Sequence, residues 1–140
     1  MQTILKVSDA AALGIHAAAF LAASREPRVP AADIAAALDA SVNHLSKVMQ
    51  RLGRAGLVEG TRGPSGGFNL TDAGREATLL DVYRAIEGPL VTTDCLMHSP
   101  VCRGRRCIFG GLIARINDEV KEHLAETRLT ELTTLFGGKT

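Results

Sequence analysis

The stretch from residue 29 to residue 70 reads VPAADIAAALDASVNHLSKVMQRLGRAGLVEGTRGPSGGFNL, and it decides the fold. It contains two short helical patterns separated by a break at Asp39-Ala40-Ser41, where Ser41 is a favourable N-cap for the second helix. The second helix is predicted to run to about Gly53 and to be polar on its outer side. Its apolar face is formed by Val42, Leu45, Val48, Met49 and Leu52. Two short helices of this kind predict a helix-turn-helix.

A β-hairpin is predicted directly after the second helix. Leu57 to Gly60 and Phe68 to Leu70 have the pattern of two short strands, and the segment 62–67 between them is rich in glycine and other turn residues. A hairpin that follows a helix-turn-helix is the wing of a winged helix. We therefore expect residues 1–88 to form a winged helix-turn-helix DNA-binding domain.

Helical patterns also flank this stretch. The sequence predicts a helix over residues 2–24 before it and a helix from Thr78 to Ile86 after it. A long helix is predicted from Ile108, and a short closing helix over residues 129–136. The long helix has an apolar stripe formed by Phe109, Leu112, Ile113, Ile116, Val120 and Leu124. The expected fold class is mainly α with a small β-hairpin.

The C-terminal part divides into two further segments. Residues 89–107 show no periodicity and contain all three cysteines, so we expect a cysteine-rich loop that is a candidate metal site. Residues 108–140 are expected to supply a dimerisation helix and a C-terminal helix. The apolar stripe of the long helix is difficult to bury in a monomer of this size, which favours a homodimer.

Composition excludes several classes of protein. The chain has 140 residues, of which 46% are hydrophobic and 22% charged, and its net charge is +1, as in an ordinary one-domain globular protein rather than a disordered or polybasic chain. Aromatic residues make up only 4%, which argues against a stacking platform for single-stranded nucleic acid. No apolar run predicts a membrane span and no export signal is evident, so a cytoplasmic location without membrane contact is expected.

The outer face of the second helix is the candidate DNA-binding surface. Residues 41–66 contain four basic side chains and one acidic side chain, and this local excess of positive charge is expected for phosphate contact. Side chains from the first turns of a helix in the major groove reach base edges, those further along meet phosphate, and an arginine at the wing tip can enter the minor groove. In that order the candidates are Ser41, Asn43, His44 and Lys47, then Gln50, Arg51 and Arg54, then Arg62 with Ser65 beside it. The alternative is the solvated polar face of an ordinary amphipathic helix.

The cysteine-rich loop is the candidate metal site. Cys95, Cys102 and Cys107 have the spacing C-x6-C-x4-C, and thiolates are ligands for zinc and for iron–sulfur clusters. The neighbouring arginines at 103, 105 and 106 favour the ligating thiolate form. With His98 the cysteines would give a Cys3His zinc set. The remaining alternative is three cysteines without any ligand.

The sequence resembles the Rrf2 family of bacterial regulators, the group that includes IscR and NsrR. The resemblance covers essentially the whole chain and rests on four runs. They are VPAADIA (29–35), HLSKV (44–48), LGRAGLV (52–58) and RGPSGGF (62–68), of which the last is the most specific. It implies a homodimeric winged-helix transcription factor that binds a palindromic operator in double-stranded DNA.

The resemblance also implies an iron–sulfur cluster, [2Fe-2S] or [4Fe-4S], in the cysteine loop, because family members have three cysteines there. Some members use a histidine three positions after the last cysteine, where this sequence has Gly110. Others use an aspartate in the first helix of the other subunit, and Asp9 occupies that place. Asp9 is therefore the candidate fourth ligand, with His98 as its competitor.

We expect a DNA-binding regulator whose DNA affinity changes with the state of the cluster, through redox chemistry, nitric oxide or cluster supply. One alternative is the same fold sensing by cysteine oxidation, by zinc or by a protein partner. The other is a thiol redox enzyme, but the sequence has no C-x-x-C pair and no phosphate-binding glycine loop before a helix. An enzyme with a small-molecule substrate is therefore not expected.

Overall fold

The fold was determined from a computed structural model, which describes residues 5–99, 101–102 and 107–136. Seven of its elements form the N-terminal winged helix, and one α-helix and one 3-10 helix follow the cysteine loop. In chain order the elements are α1 (Asp9–Ala23), α2 (Ala31–Ala37), α3 (Val42–Arg54), β1 (Val58–Thr61), β2 (Gly67–Leu70), α4 (Asp72–Glu76), α5 (Leu79–Glu87), α6 (Leu112–Glu126) and the 3-10 helix Leu129–Leu132. The predicted fold class, mainly α with a small hairpin, is confirmed.

The helix-turn-helix consists of α2 and α3. Asp39, at a φ of 51°, turns the chain between them, and the Ser41 side chain caps α3 by accepting a hydrogen bond from the His44 N–H at 3.0 Å. The core face of α3 is fully buried through Leu45, Val48, Met49 and Leu52, as predicted, whereas Val42 is exposed. Burial of one face fixes which side chains of α3 point outward.

The wing is the antiparallel pair of β1 and β2, with Val58 opposite Leu70 and Thr61 opposite Gly67. Val29, just before α2, forms a further bridge to Phe68 through two backbone hydrogen bonds of 2.9 Å. Gly67 has a φ of +151°, and a Cβ built there would lie 2.5 Å from the Val29 carbonyl oxygen. Only glycine fits this position, because the backbone of residue 29 approaches too closely for a side chain.

The first helix begins later than the sequence predicts. The prediction of residues 2–24 is wrong at its N-terminal end, since α1 starts at Asp9 and residues 5–8 are not helical; residues 1–4 lie outside the described chain. The reason is the N-cap Ser8, whose side chain accepts a hydrogen bond from the Ala11 N–H at 3.0 Å. The small residues of α1 let it pack closely on α5, where a Cβ on Gly14 would overlap Cδ1 of Ile86.

The C-terminal helices are also shorter than predicted. The long helix begins at Leu112 instead of Ile108, because residues 108–111 form a turn in which Gly110 has a φ of 59°. The predicted closing helix over 129–136 is only the 3-10 helix Leu129–Leu132. After it the chain turns and places the Phe136 ring edge-on against Phe20, with 5.4 Å between the ring centroids.

In α6, which the structure describes throughout, no side chain is buried. The helix packs on α5, but its apolar stripe stays open, with Leu112 42% and Ile116 43% exposed. An open cavity of about 340 Å³ lies between α1, α5 and α6 and is lined mainly by apolar side chains. No helix in the described ranges is long and apolar enough to cross a membrane.

Candidate DNA-binding surface and cysteine loop

The outward face of α3 holds the residues predicted to meet DNA bases. Ser41, Asn43 and Lys47 are exposed, and His44 is half-buried beside the capping hydrogen bond. All four lie in the first two turns of the helix, which are the turns that reach base edges when a recognition helix enters the major groove. Gln50, one turn further, is exposed as well. The N-terminal half of α3 therefore exposes side chains that can donate and accept hydrogen bonds.

The wing extends this surface with positive charge. Arg54 ends α3, and Arg62 and Ser65 lie in the turn between β1 and β2; all three are exposed. The one acid of the segment, Glu59, accepts a hydrogen bond from the Asn69 side chain across the hairpin at 2.8 Å. Positive side chains at the end of α3 and at the tip of the wing are suited to phosphate and minor-groove contact.

Arg51 differs from the other basic residues of α3. Its Nη1 donates a hydrogen bond to the backbone carbonyl of Ile86 at 3.2 Å, and this contact is partly shielded from solvent. The side chain of Arg54, by contrast, makes no hydrogen bond to any residue that the structure describes. The prediction that Arg51 meets phosphate is not tested by this contact, but one of its donors is engaged inside the protein.

Arg28 is a basic residue that the sequence analysis missed. It is exposed, its Nη1 lies 3.5 Å from the Thr61 hydroxyl, and it directly precedes the bridge between Val29 and Phe68. The folded chain thus brings Arg28 beside the strand that leads to Arg62. Nothing in the one-dimensional pattern pairs the segment before α2 with the wing, so periodicity gave no signal for this residue.

The three cysteines are free thiols on the segment between α5 and α6. Cys95 and Cys107 are half-buried and Cys102 is exposed. Backbone N–H groups donate to two of the sulfurs, Met97 to Cys95 Sγ and Phe109 to Cys107 Sγ, each at 3.4 Å. Such hydrogen bonds stabilise charge on sulfur and occur around thiolate-ligated clusters. The donor chemistry of this segment therefore fits a metal or an iron–sulfur cluster.

The candidate metal ligands do not lie together in the residues that the structure describes. Over residues 5–99, 101–102 and 107–136, no three His, Cys, Asp or Glu side chains lie close enough together to hold one metal ion. His98 is exposed in the loop, and Asp9 is exposed in the first turn of α1. Pro100 and the arginines at 103, 105 and 106 lie outside the described residues. Binding of a cluster would require the loop to close and draw the thiols together.

A helix-turn-helix that presents a polar, basic face and continues into a two-stranded wing defines a winged-helix transcriptional regulator. A family model described as "Iron-dependent Transcriptional regulator" matches residues 7–134. The chain belongs to this family, Rrf2, as its sequence resemblance predicted. The family and the relatives found are transcriptional regulators and not enzymes.

Individual relatives support this assignment. BadM of Rhodopseudomonas palustris, by name an HTH-type transcriptional regulator, is 39% identical over 83 residues, covering 59% of this chain and 53% of BadM. IscR of Photorhabdus laumondii is 31% identical over 109 residues, covering 78% of this chain and 66% of that protein. The matches thus span about half to two thirds of the curated relatives.

Solved structures share the fold. CymR of B. subtilis, described as its global cysteine regulator, has a TM-score of 0.72 and 30% identity, and the alignment covers 94% of this chain and 98% of CymR. The IscR of T. potens has a TM-score of 0.68 at 22% identity, over 98% of this chain and 93% of that one. The second likeness shows the fold alone.

Proposed function

We propose that this chain is a homodimeric transcription regulator that binds a palindromic operator in double-stranded DNA. The observation that carries the proposal is the exposure of polar and basic side chains on α3 and at the tip of the wing that follows it. Ser41, Asn43, His44 and Lys47 read base edges, Gln50 and Arg54 contact phosphate, and Arg62 with Ser65 enters the minor groove. The family membership of the chain supports the same function.

Two variants test the DNA-binding surface. A duplex selected by the wild-type protein from a randomised pool serves as the probe, and binding is measured over a range of salt concentrations. Lys47→Ala and Arg62→Ala are expected to weaken binding, and the slope of log K against log salt falls by about 0.9 for a side chain that also neutralises a phosphate. Lys121→Ala is the matched control, because Lys121 is exposed on α6, a helix that packs on α5. Unchanged binding isotherms for Lys47→Ala and Arg62→Ala would refute the proposed surface.

The homodimer is supported by the open stripe of α6. Apolar side chains that are two-fifths exposed on a regular helix are typical of a surface that a second helix covers. A dimer places two recognition helices on half-sites one DNA turn, about 34–36 Å, apart. Ile116→Lys is expected to give monomers by light scattering. Asp118→Lys should leave the dimer intact, because Asp118 lies on the opposite side of the same helix from the apolar stripe. Monomeric wild-type protein would contradict the proposal.

The cysteine loop is proposed to be the sensor, with an iron–sulfur cluster as its ligand. Cys95, Cys102 and Cys107 would supply three thiolates, and Asp9 of the partner subunit or His98 the fourth ligand. Three free thiols in one segment, two of them accepting backbone N–H groups, support this, as do the relatives named IscR. When bound, such a cluster would supply a redox-sensitive group that holds the three thiolates together. The loop joins the winged helix to α6, the proposed dimer helix. A change in the conformation of the loop would therefore change the distance between the two recognition helices of the dimer.

A second candidate is direct sensing by the thiols, without a cluster. The exposure of Cys102 favours it. An exposed thiol is accessible to oxidants, and oxidation to a disulfide would close the loop by a different route. Zinc bound by the cysteines and His98 is the third way to order the same segment.

Anaerobic purification separates these candidates. Iron, sulfide and zinc are quantified in the wild type, in Cys102→Ala and in Ser99→Ala, which removes a small polar group from the same loop. Stoichiometric iron and sulfide that only Cys102→Ala loses support the cluster. Zinc alone supports a structural metal, and a metal-free protein that forms a disulfide with a mild thiol oxidant supports thiol sensing. DNA affinity that is the same for the loaded wild type and Cys102→Ala would refute the switch while leaving DNA binding intact.

A further inference from the structure

The last turn of α5 is where the recognition helix, α1 and the cysteine loop meet. The Ile86 side chain is buried between α1 and α3, against the positions of Gly14 and Val48. Next to it, the Ser8 hydroxyl donates a hydrogen bond to the Glu87 carboxylate at 2.5 Å. The cysteine-containing segment leaves α5 immediately afterwards, at Gly88. A displacement of this turn would therefore also displace α1 and α3, which pack against it.

Arg51 forms the polar connection between α3 and this turn. The last four carbonyls of a helix have no partner within the helix, and Ile86 supplies one of them. Arg51 Nη1 donates to that oxygen at 3.2 Å, from the helix that reads DNA. A cation at a helix C-terminus is also favoured by the helix dipole. The guanidinium thus satisfies a partly shielded carbonyl that water would otherwise have to reach.

We propose that Arg51 is a positioning residue that holds α3 against the end of α5, and that it is not a phosphate contact. The hydrogen bond from Arg51 to Ile86 exists in the free protein. Its effect on DNA affinity rests on the proposed DNA-binding function. Without it, α3 would be held against α5 by apolar packing alone, which restrains rotation and sliding less than a directed hydrogen bond does. Arg54, three residues further along α3 and without a described hydrogen-bond partner, is the matched phosphate candidate.

The two roles predict different salt dependences. Arg51→Met keeps an unbranched apolar stem and removes the charge and all the donors of the guanidinium. A positioning role predicts that this variant binds the selected duplex roughly tenfold or more weakly, as for loss of one hydrogen bond to a charged group, with an unchanged salt slope. Binding to an unrelated duplex should hardly change. Arg54→Met should instead lower the slope by about 0.9 and weaken binding to both duplexes.

A measurement on the free protein keeps the inference separate from DNA binding. Amide hydrogen exchange of the last turn of α5, including the Gly88 N–H that bonds to the Arg84 carbonyl, should be faster in Arg51→Met than in the wild type. Arg51→Lys, which retains a positively charged donor group, should restore part of the protection and part of the affinity. Unchanged exchange in Arg51→Met, or a salt slope lowered as in Arg54→Met, would overturn the inference. Failure of the wild type to bind any duplex would overturn the proposed function and not the positioning role.

Discussion

The sharpest structural prediction concerns Gly67, at the start of the second wing strand. Gly67→Ala places a Cβ 2.5 Å from the carbonyl oxygen of Val29 and 2.6 Å from its carbonyl carbon, both backbone atoms. The φ of +151° alone costs an alanine about 1–3 kcal/mol. Relief of the overlap requires Val29 to move away and break its two hydrogen bonds to Phe68, each worth about 0.5–1.5 kcal/mol. The expected loss in the free energy of unfolding is therefore about 2–6 kcal/mol.

Gly63→Ala is the matched control for this prediction. Gly63 has a φ of +103°, but nothing lies within 4 Å of a Cβ built there. The substitution therefore lowers the free energy of unfolding by the backbone strain alone. Urea unfolding at equal protomer concentration measures both variants, since the stability of a dimer depends on concentration. The Gly67 variant should be less stable than the Gly63 variant by about 1–3 kcal/mol. Equal stability of the two variants would refute the argument that contact with Val29 fixes the wing.

Three further predictions follow from single residues. Leu129→Ala should lower the free energy of unfolding by about 2–5 kcal/mol in urea titrations, because the Leu129 side chain is fully buried; a change below about 1 kcal/mol would contradict its place in the core. Ser41→Ala should cost about 1 kcal/mol through loss of the α3 cap, and Ser99→Ala, in an exposed loop, should cost almost nothing in the same assay. Arg28→Ala should weaken binding of the selected duplex and lower its salt slope by about 0.9; an unchanged slope would show that Arg28 does not meet phosphate.

The winged helix could be predicted because its signals are local. The cap at Ser41, the apolar face of α3 and the turn residues around Gly66 each act within a few positions, and they agree with one another. The ends of helices were predicted less well. Ser8 begins α1 by a side-chain hydrogen bond, and the turn at Gly110 delays α6, although periodicity alone extends both helices toward their N-termini.

The candidate site was predicted unevenly for a related reason. Exposure of Lys47, Arg54 and Arg62 follows from the amphipathic pattern and from the hairpin. Contacts between segments distant in sequence do not, so neither the bond from Arg51 to Ile86 nor the position of Arg28 beside the wing was foreseen. The cysteine spacing predicts which atoms can bind a metal, but it contains no information about how an irregular loop brings them together.

The bridge between Val29 and Phe68 has a consequence for protein engineering. The two-stranded wing is tied by this bridge to the chain before α2, so it is not a separable hairpin. A specificity swap that transplants only residues 58–70 from another regulator would leave the incoming strand facing a foreign edge. The graft should therefore include residues 28–30, so that the exchanged hairpin keeps the segment that bridges to its second strand.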